Sequence, residues 1–413
     1  MKKILVISWF YPPVNSSEGI VTYKLLNNSK YEYDVFTQKN STSWSYGNKD
    51  YLKNNKNVNC IFSESNTLKQ WKTEAVEYFK KNMDKYDVVM TRSMPPESHE
   101  VGIMLKKIKP SIKWIASFGD PISNNPYTLL TMKSNPYKVD KTSSIRRIIN
   151  PFRIIKSILY CLKKTIKNSF LDTKIESKTL KKCDMVIFNS NEQREYMTKG
   201  NLKTDSVIIN HSYMEELYPK KVEKNTEKII ISYIGHLDAI RTPKILLEAI
   251  KEIKEDDEHL CNKLEVDFYG NLYHDDKIYI YDNELYDIVK YKKQISYLES
   301  LKKMKESDYL LHIDANLGDV IDHNIFFAAK LADYIGSKTP IISITMLEGT
   351  SANIMRKVNG LILTYSASDV KNYLRKIIYE NYQFNLDEKS SNSYNAKIVA
   401  TEFDNMVKDL LKK

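Results

Sequence analysis

Residues 228–253 read KIIISYIGHLDAIRTPKILLEAIKEI. The opening run is β-branched and apolar and stops at Gly235, as a strand covered on both faces would. From Pro243 onward apolar residues recur at helical spacing, and a proline suits the first turn of a helix. Between the two lies a loop holding His236 and Arg241. A strand, a loop with cations and a helix start form one βα unit, with Gly235 letting backbone approach a ligand.

The same grammar runs through the chain. Short apolar runs stand at 3–8, 33–37, 58–63, 86–91, 113–117, 184–190 and 206–210, then at 228–235, 264–270, 308–314, 340–345 and 360–365. Segments long enough for helices separate them, which predicts parallel sheets. The pattern restarts near residue 226, after the Lys-rich stretch YPKKVEKNTEK, the best linker candidate. The reading is α/β, with two doubly wound Rossmann-like domains facing a central cleft. The expected domains are 1–225 and 226–395, with a basic insertion at about 140–182 in the first. Ligands bind such sheets outside the carboxyl ends of the strands, so chemistry is expected just after each strand.

Composition agrees with a globular protein. At 413 residues the chain exceeds one ordinary core, and about 200 residues per domain is the expectation. Hydrophobic residues make up 42% and charged residues 28%, which excludes a disordered chain. Net charge is +11, which suits phosphorylated ligands, anionic lipid or nucleic acid. No aromatic platform interleaves with the basic residues, so nucleic acid is not an expected partner. The four cysteines form no CxxC pair, so neither a metal site nor a disulfide framework is expected, and a reducing cytoplasm fits. The N-terminal MKKILVISWFYPP superficially resembles a leader but has no small-residue cleavage site, and it reads as a first strand. No run of about 18 apolar residues is present.

A second stretch, FFAAKLADYIGSKTPIISIT (326–345), places Lys330 and Asp333 in the first turns of a helix. Asp suits the positive end of the helix dipole and Lys does not. A second negative charge such as phosphate would account for the lysine; an ordinary surface lysine is the alternative. For Arg241 the alternative is a solvated loop cation.

Together YIGHLDAIRTPKILLEAI, FYG, ISYLESLKKMKESDYLLHIDA and KLADYIGSKTPIISIT resemble the nucleotide-sugar half of glycosyltransferase family 4, whose members are retaining enzymes of the GT-B fold. ILVISWFYPPVNSSEGIVTYKLL resembles that family's first strand and glycine loop, and CDMVIFNSNEQREYM its strand and helix near the domain crossing. The resemblance covers most of the chain except roughly 128–180. It implies that Arg241 and Lys330, with His236 and Gly19, bind the donor diphosphate. It implies that Gly235, Ile295 and Tyr297 line the nucleotide site, and that Asp333 takes the second acid position of a Glu-x7-Glu motif that contacts ribose. The first acid position falls on Ile325, which cannot ionise. Asp322, His323 or backbone amides of 325–329 are the candidates to substitute. A nucleotide-diphosphate sugar would be donor substrate, with no separate cofactor and no metal. The acceptor would be a glycan, lipid-linked, in surface polysaccharide assembly, and a C-terminal helix at about 396–413 would return to the first domain.

On the acceptor side, KWIASFGDPISNNPY places Asp120 after a strand, as a catalytic or acceptor-contacting residue or as a turn residue before Pro121. TRSMPPESHEVG does the same for Arg92, Glu97, Ser98 and His99; His99 is the second catalytic candidate, or a helix-start polar residue. Residues 143–170 combine helical apolar spacing with many Lys and Arg. They read as a face for an anionic membrane surface, which would put the protein peripherally on the inner face of the plasma membrane, or as a face packed on the protein. Two rival functions stay open: a nucleotide-sugar epimerase, and a non-catalytic binding relative that Ile325 would favour.

Overall fold

The computed structural model of the chain describes residues 2–14, 16–39, 52, 55–65, 67–134, 167–223 and 226–413. The basic segment 143–170 therefore lies outside the described residues up to 166.

The first domain contains β1 (Lys3–Ile7), α1 (Ser17–Asn28), β2 (Glu32–Gln38), β3 (Val58–Ser63), α2 (Leu68–Asn82), β4 (Val88–Arg92), α3 (Glu97–Ile108) and β5 (Lys113–Ser117). It continues with α4 (Pro126–Ser134), α5 (Thr173–Lys182), β6 (Met185–Phe188), α6 (Asn191–Thr198) and β7 (Ser206–Ile208). All seven strands are parallel, in the order β3-β2-β1-β4-β5-β6-β7.

The second domain contains β8 (Ile229–Ile234), α7 (Lys244–Asp256), β9 (Leu264–Tyr269), α8 (His274–Asp282), β10 (Val289–Lys292), α9 (Tyr297–Glu306) and β11 (Tyr309–Ile313). Then come α10 (Ala329–Ser337), β12 (Ile341–Ile344), α11 (Thr350–Val358), β13 (Leu361–Leu363), α12 (Ala367–Tyr379), α13 (Glu388–Asn392) and α14 (Ala396–Leu410). Its sheet is also parallel, in the order β10-β9-β8-β11-β12-β13. In both sheets the chain direction across the sheet reverses after the third strand, between β1 and β4 and between β8 and β11. In doubly wound sheets ligands bind at such a reversal.

The expected strands form because solid apolar runs can be buried on both faces. Ile4, Leu5, Val6 and Ile7 are all fully buried. One face of the first sheet packs on Trp71, Phe79, Val101 and Leu105 of α2 and α3. Its other face packs on α1 and on Val399, Phe403, Val407 and Leu410 of α14. Helix α14 thus returns to the first domain, where Asp404 accepts from Ser29 Oγ at 2.6 Å and from the Lys30 amide at 3.1 Å. At Gly102 any side chain would strike the Trp114 ring, 2.3 Å from the nearest ring atom, so α3 can lie flat on that indole.

Serine, threonine or asparagine caps α1, α2, α6, α9, α12 and α14, each accepting a first-turn amide. Helices α10 and α11 begin at Ala328 and Gly349 with no side-chain cap.

Candidate functional site

The βα unit at 228–253 builds one wall. β8 ends at Ile234, and Gly235 turns with φ of +138°, a region that favours glycine. A Cβ on Gly235 would lie 3.3 Å from Lys330 Nζ, so the missing side chain leaves room for that ammonium. Lys330 stands at the start of the uncapped helix α10. Its Nζ donates to the Tyr233 hydroxyl and lies 3.6 Å from the centre of that ring. Burial holds the Lys330 amine well below its ordinary value of 10.5; Arg241 adds to this, while Asp314 and Asp238 oppose it.

Arg241 is held by its own loop. Asp238 Oδ1 accepts from the amides of Ile240 and Arg241, both at 2.9 Å, and closes the turn. The guanidinium lies 5.6 Å from the centre of the Tyr127 ring. The Tyr127 hydroxyl donates to Asp238, so α4 of the first domain is bonded to the cation loop of the second. Behind the cations sits Asp314, at the end of β11. Its carboxylate meets His312 Nε2 at 3.1 Å, Asn324 Nδ2 at 2.6 Å and Thr345 Oγ1 at 2.7 Å. Burial pushes the Asp314 carboxyl up, but the neighbouring His312 and the hydroxyls of Ser351 and Thr345 outweigh it and hold the group below the usual carboxylate range.

The facing wall comes from the first domain. Arg92, at the end of β4, pairs with Glu18 at 3.0 Å and donates to Ser117 Oγ at 2.8 Å. Asp120 lies where these groups and Arg241 act on it together. Burial raises its carboxyl to about 7; Glu18 pushes it further up, while Arg92 and Arg241 pull it down. The Asp120 loop is braced from below. Glu176 accepts from the amides of Ile122 and Ser123 at 2.9 and 3.0 Å and from Ser123 Oγ at 2.6 Å. Asn189 Nδ2 and Gln193 Nε2 donate to the Gly119 carbonyl at 2.5 and 3.2 Å, and Ser93 Oγ takes the Gly119 amide at 3.0 Å.

The structure thus brings Gly235, Arg241 and Lys330 together and sets Asp120 against them across the cleft. The remaining candidates fall elsewhere. The Gly19 amide is taken by Ser16 Oγ at 3.0 Å, and it is the neighbouring Glu18 that reaches the cleft. His236 has an exposed side chain, and its carbonyl accepts from the Tyr233 hydroxyl at 3.1 Å. His99 is fully buried. Its Nδ1 lies 2.7 Å from Thr91 Oγ1, which also accepts from Trp114 Nε1 at 2.9 Å, and its ring packs on Phe118. Burial pushes the His99 imidazole down to about 3, so it is a neutral core group rather than a group facing the cleft.

Asp333 is committed across the domain boundary. Lys24 of α1 is 1% exposed, and its Nζ lies 2.6 Å from Asp333 Oδ1. The same oxygen accepts from the Tyr297 hydroxyl at 3.0 Å, and Tyr218 donates to the Asp333 carbonyl at 2.7 Å. Ile295 packs with Tyr297 in the core around α10. Ile325 is fully buried, and its carbonyl accepts from Ser190 Oγ at 3.1 Å, another bond between the domains.

Sequence reasoning missed Glu18, Lys24, Asp238 and Asp314. Asp314 had a signal, a charge at the end of an apolar strand. Lys24 had none, because a lysine on a helix ordinarily faces water.

No family model matches the sequence, and no curated protein is significantly similar to it. Solved structures are similar over its whole length. A sucrose-phosphate synthase from Thermosynechococcus elongatus aligns with 15% identity and a TM-score of 0.69, covering 100% of both chains. A lipopolysaccharide outer core galactosyltransferase aligns with 12% identity and a TM-score of 0.56, covering 98% of this chain and 99% of the other. A UDP-N-acetylglucosamine 2-epimerase aligns with 12% identity and a TM-score of 0.54, covering 100% and 96%. These likenesses define the architecture as the GT-B fold. Among the described residues no helix is long and apolar enough to cross a membrane.

Proposed function

We propose that the protein is a retaining glycosyltransferase that moves a sugar from a nucleotide-diphosphate donor to a glycan acceptor. One observation carries this reading. Two partly desolvated cations, Arg241 and Lys330, meet at the reversal point of the second sheet beside a glycine and an uncapped helix start, and Asp120 faces them.

Such a site suits a leaving diphosphate. The bond between the anomeric carbon and the diphosphate oxygen breaks, and negative charge grows on the diphosphate. Fixed cations and helix N–H groups stabilise that charge most as it develops. The acceptor hydroxyl bonds to the anomeric carbon on the same face, and its proton passes to the departing phosphate oxygen. This scheme asks for no metal. Asp120, ionising near neutrality, is suited to hold the acceptor or to share its proton. A lipid-linked acceptor in surface polysaccharide assembly, at the inner membrane face, extends the same proposal and rests on the sequence resemblance.

A second reading has its own observation. A carboxyl that titrates near 7 beside a bound sugar also suits proton abstraction, as an epimerase requires. The experiment is thermal unfolding with UDP-, GDP-, dTDP- and CMP-sugars, followed by product analysis with and without acceptor. A diphosphate sugar present at about 100 times its Kd should add about 2.7 kcal/mol of stability. CMP-sugars carry one phosphate and serve as the control. Isomerised donor in the absence of acceptor would turn the reading to an epimerase. No shift with any nucleotide sugar would overturn the donor site.

A further inference from the structure

We propose that the outer edge of the second sheet is an interaction surface for a second copy of this chain, joined by antiparallel pairing of β10 with its counterpart about a two-fold axis at Tyr291. Among the described residues β10 pairs only with β9, so one side of it carries backbone groups with no strand beside them. The bonds on its other side identify those groups. The Ile288 and Lys292 carbonyls accept from the amides of Val266 and Gly270 at 2.9 and 3.1 Å. Backbone groups alternate in direction along a strand, so Val289, Tyr291 and Lys293 direct theirs outward. Such an edge is a template for pairing with another chain.

Lysines ordinarily guard an edge against pairing, but two of the three here are tied back to their own chain. Lys292 Nζ lies 2.5 Å from Asp267 Oδ2 and 3.5 Å from Glu265 Oε1, and Lys290 Nζ donates to the Tyr286 carbonyl at 2.7 Å. Apolar surface flanks the edge instead. Tyr281, Tyr286 and Tyr291 are 75%, 57% and 54% exposed, and Ile278 of α8 is exposed three residues before Tyr281. Lys277 of the same helix holds its Nζ 5.5 Å from the centre of the Tyr291 ring, so α8 and β10 present one continuous face.

Charge selects both the partner and its direction. The chain carries +11, so two copies repel over most of their surfaces. Residues 273–293 hold five acids and four lysines, which removes that repulsion locally. The signs are also segregated along the edge. Asp282, Glu284 and Asp287 precede the strand, whereas Lys290 lies within it and Lys293 follows it. Lys254 meets Asp287 at 3.4 Å, so the exposed Asp282 and Glu284 are the acids left for a partner. Parallel pairing would set like charges together. An antiparallel copy reverses the order and sets acids against lysines. With Tyr291 opposite itself, Val289 faces Lys293 across the axis, and the outward groups of both copies meet, as an isologous contact requires.

The test is sedimentation velocity on the full chain at concentrations up to about 100 μM, above the Kd of an interface of standard size. Wild type should sediment as two chains at the top of that range and dissociate on dilution. Tyr291→Pro removes the outward amide and spares the bonds to β9, so it should raise the dissociation constant at least tenfold with Tm nearly unchanged. Lys290→Glu/Lys293→Glu and Asp282→Lys/Glu284→Lys should each sediment as single chains and should pair when mixed. Oxidation locates the axis. In Tyr291→Cys the two Cα atoms lie about 5.5 Å apart across the axis, and the thiols should link. In Lys293→Cys they lie about 14 Å apart and should not. A single chain at every concentration, a folded Tyr291→Pro that pairs like wild type, charge variants that stay apart when mixed, or linkage through Lys293→Cys in place of Tyr291→Cys overturns the proposal.

Discussion

Replacing Asp120 with asparagine should make the protein more stable and less active. Burial and Glu18 raise the carboxyl from 3.8 to about 7. At 1.36 kcal/mol for each pH unit, that displacement sets a ceiling of about 4 kcal/mol on the cost of keeping Asp120 ionised. The side chain retains some contact with water in the cleft, which lowers the expected gain to about 1–2 kcal/mol. The sign follows from proton counting. Between pH 4 and 7 the folded state holds a proton that the unfolded state has lost, so stability falls as pH rises through that window. Asparagine carries no such charge. The advantage of Asp120→Asn should be absent near pH 4, grow to pH 7 and then level off. Urea denaturation of both proteins at pH 4.5, 6 and 7.5 measures it, and transfer assayed at pH 7.5 should fall by at least a hundredfold. A destabilised Asp120→Asn at pH 7.5, or an advantage unchanged by pH, would refute the reasoning.

Lys330→Met should abolish the diphosphate-dependent rise in Tm, and it should not destabilise the free protein at neutral pH, because burial already disfavours the ammonium. Lys24→Met leaves Asp333 buried and unpaired and should cost about 3–5 kcal/mol by urea denaturation, most of which Lys24→Met/Asp333→Leu restores. His99, and His211 buried against the Phe327 ring, are both held near 3 by burial, below their unfolded value of 6.5, so each contributes stability that is full above pH 6.5 and lost as pH falls toward 3. His99→Phe should flatten that acid loss in a pH series of melts. Glu176→Ala should slow transfer by releasing the Asp120 loop while the nucleotide shift stays within a degree of wild type.

Most strands were legible because a parallel strand buried on both faces must be apolar throughout. β10 escaped notice for the same reason. It is an edge strand reading VKYK, with Tyr291 54% exposed, so half its residues are polar. Arg241 and Lys330 were legible because each sits just past a strand or at a helix start, positions fixed by local sequence. His99 misled because a histidine after a strand looks the same whether it faces the cleft or bonds to Thr91 and lies under Phe118. Lys24 and Asp333 are 309 residues apart in sequence and meet only when the domains close, and no local pattern encodes that.

The return of α14 has a consequence for synthesis on the ribosome. The face of the first sheet that carries Ile4, Val6, Val35 and Met90 is covered by Phe403, Val407 and Leu410. The second domain draws all its strands from one continuous stretch, so it can complete itself while the earlier half still shows an uncovered apolar face. The half made first is therefore finished last. A nascent chain arrested before residue 396 should bind an apolar dye or a chaperone, and release past 410 should end that binding.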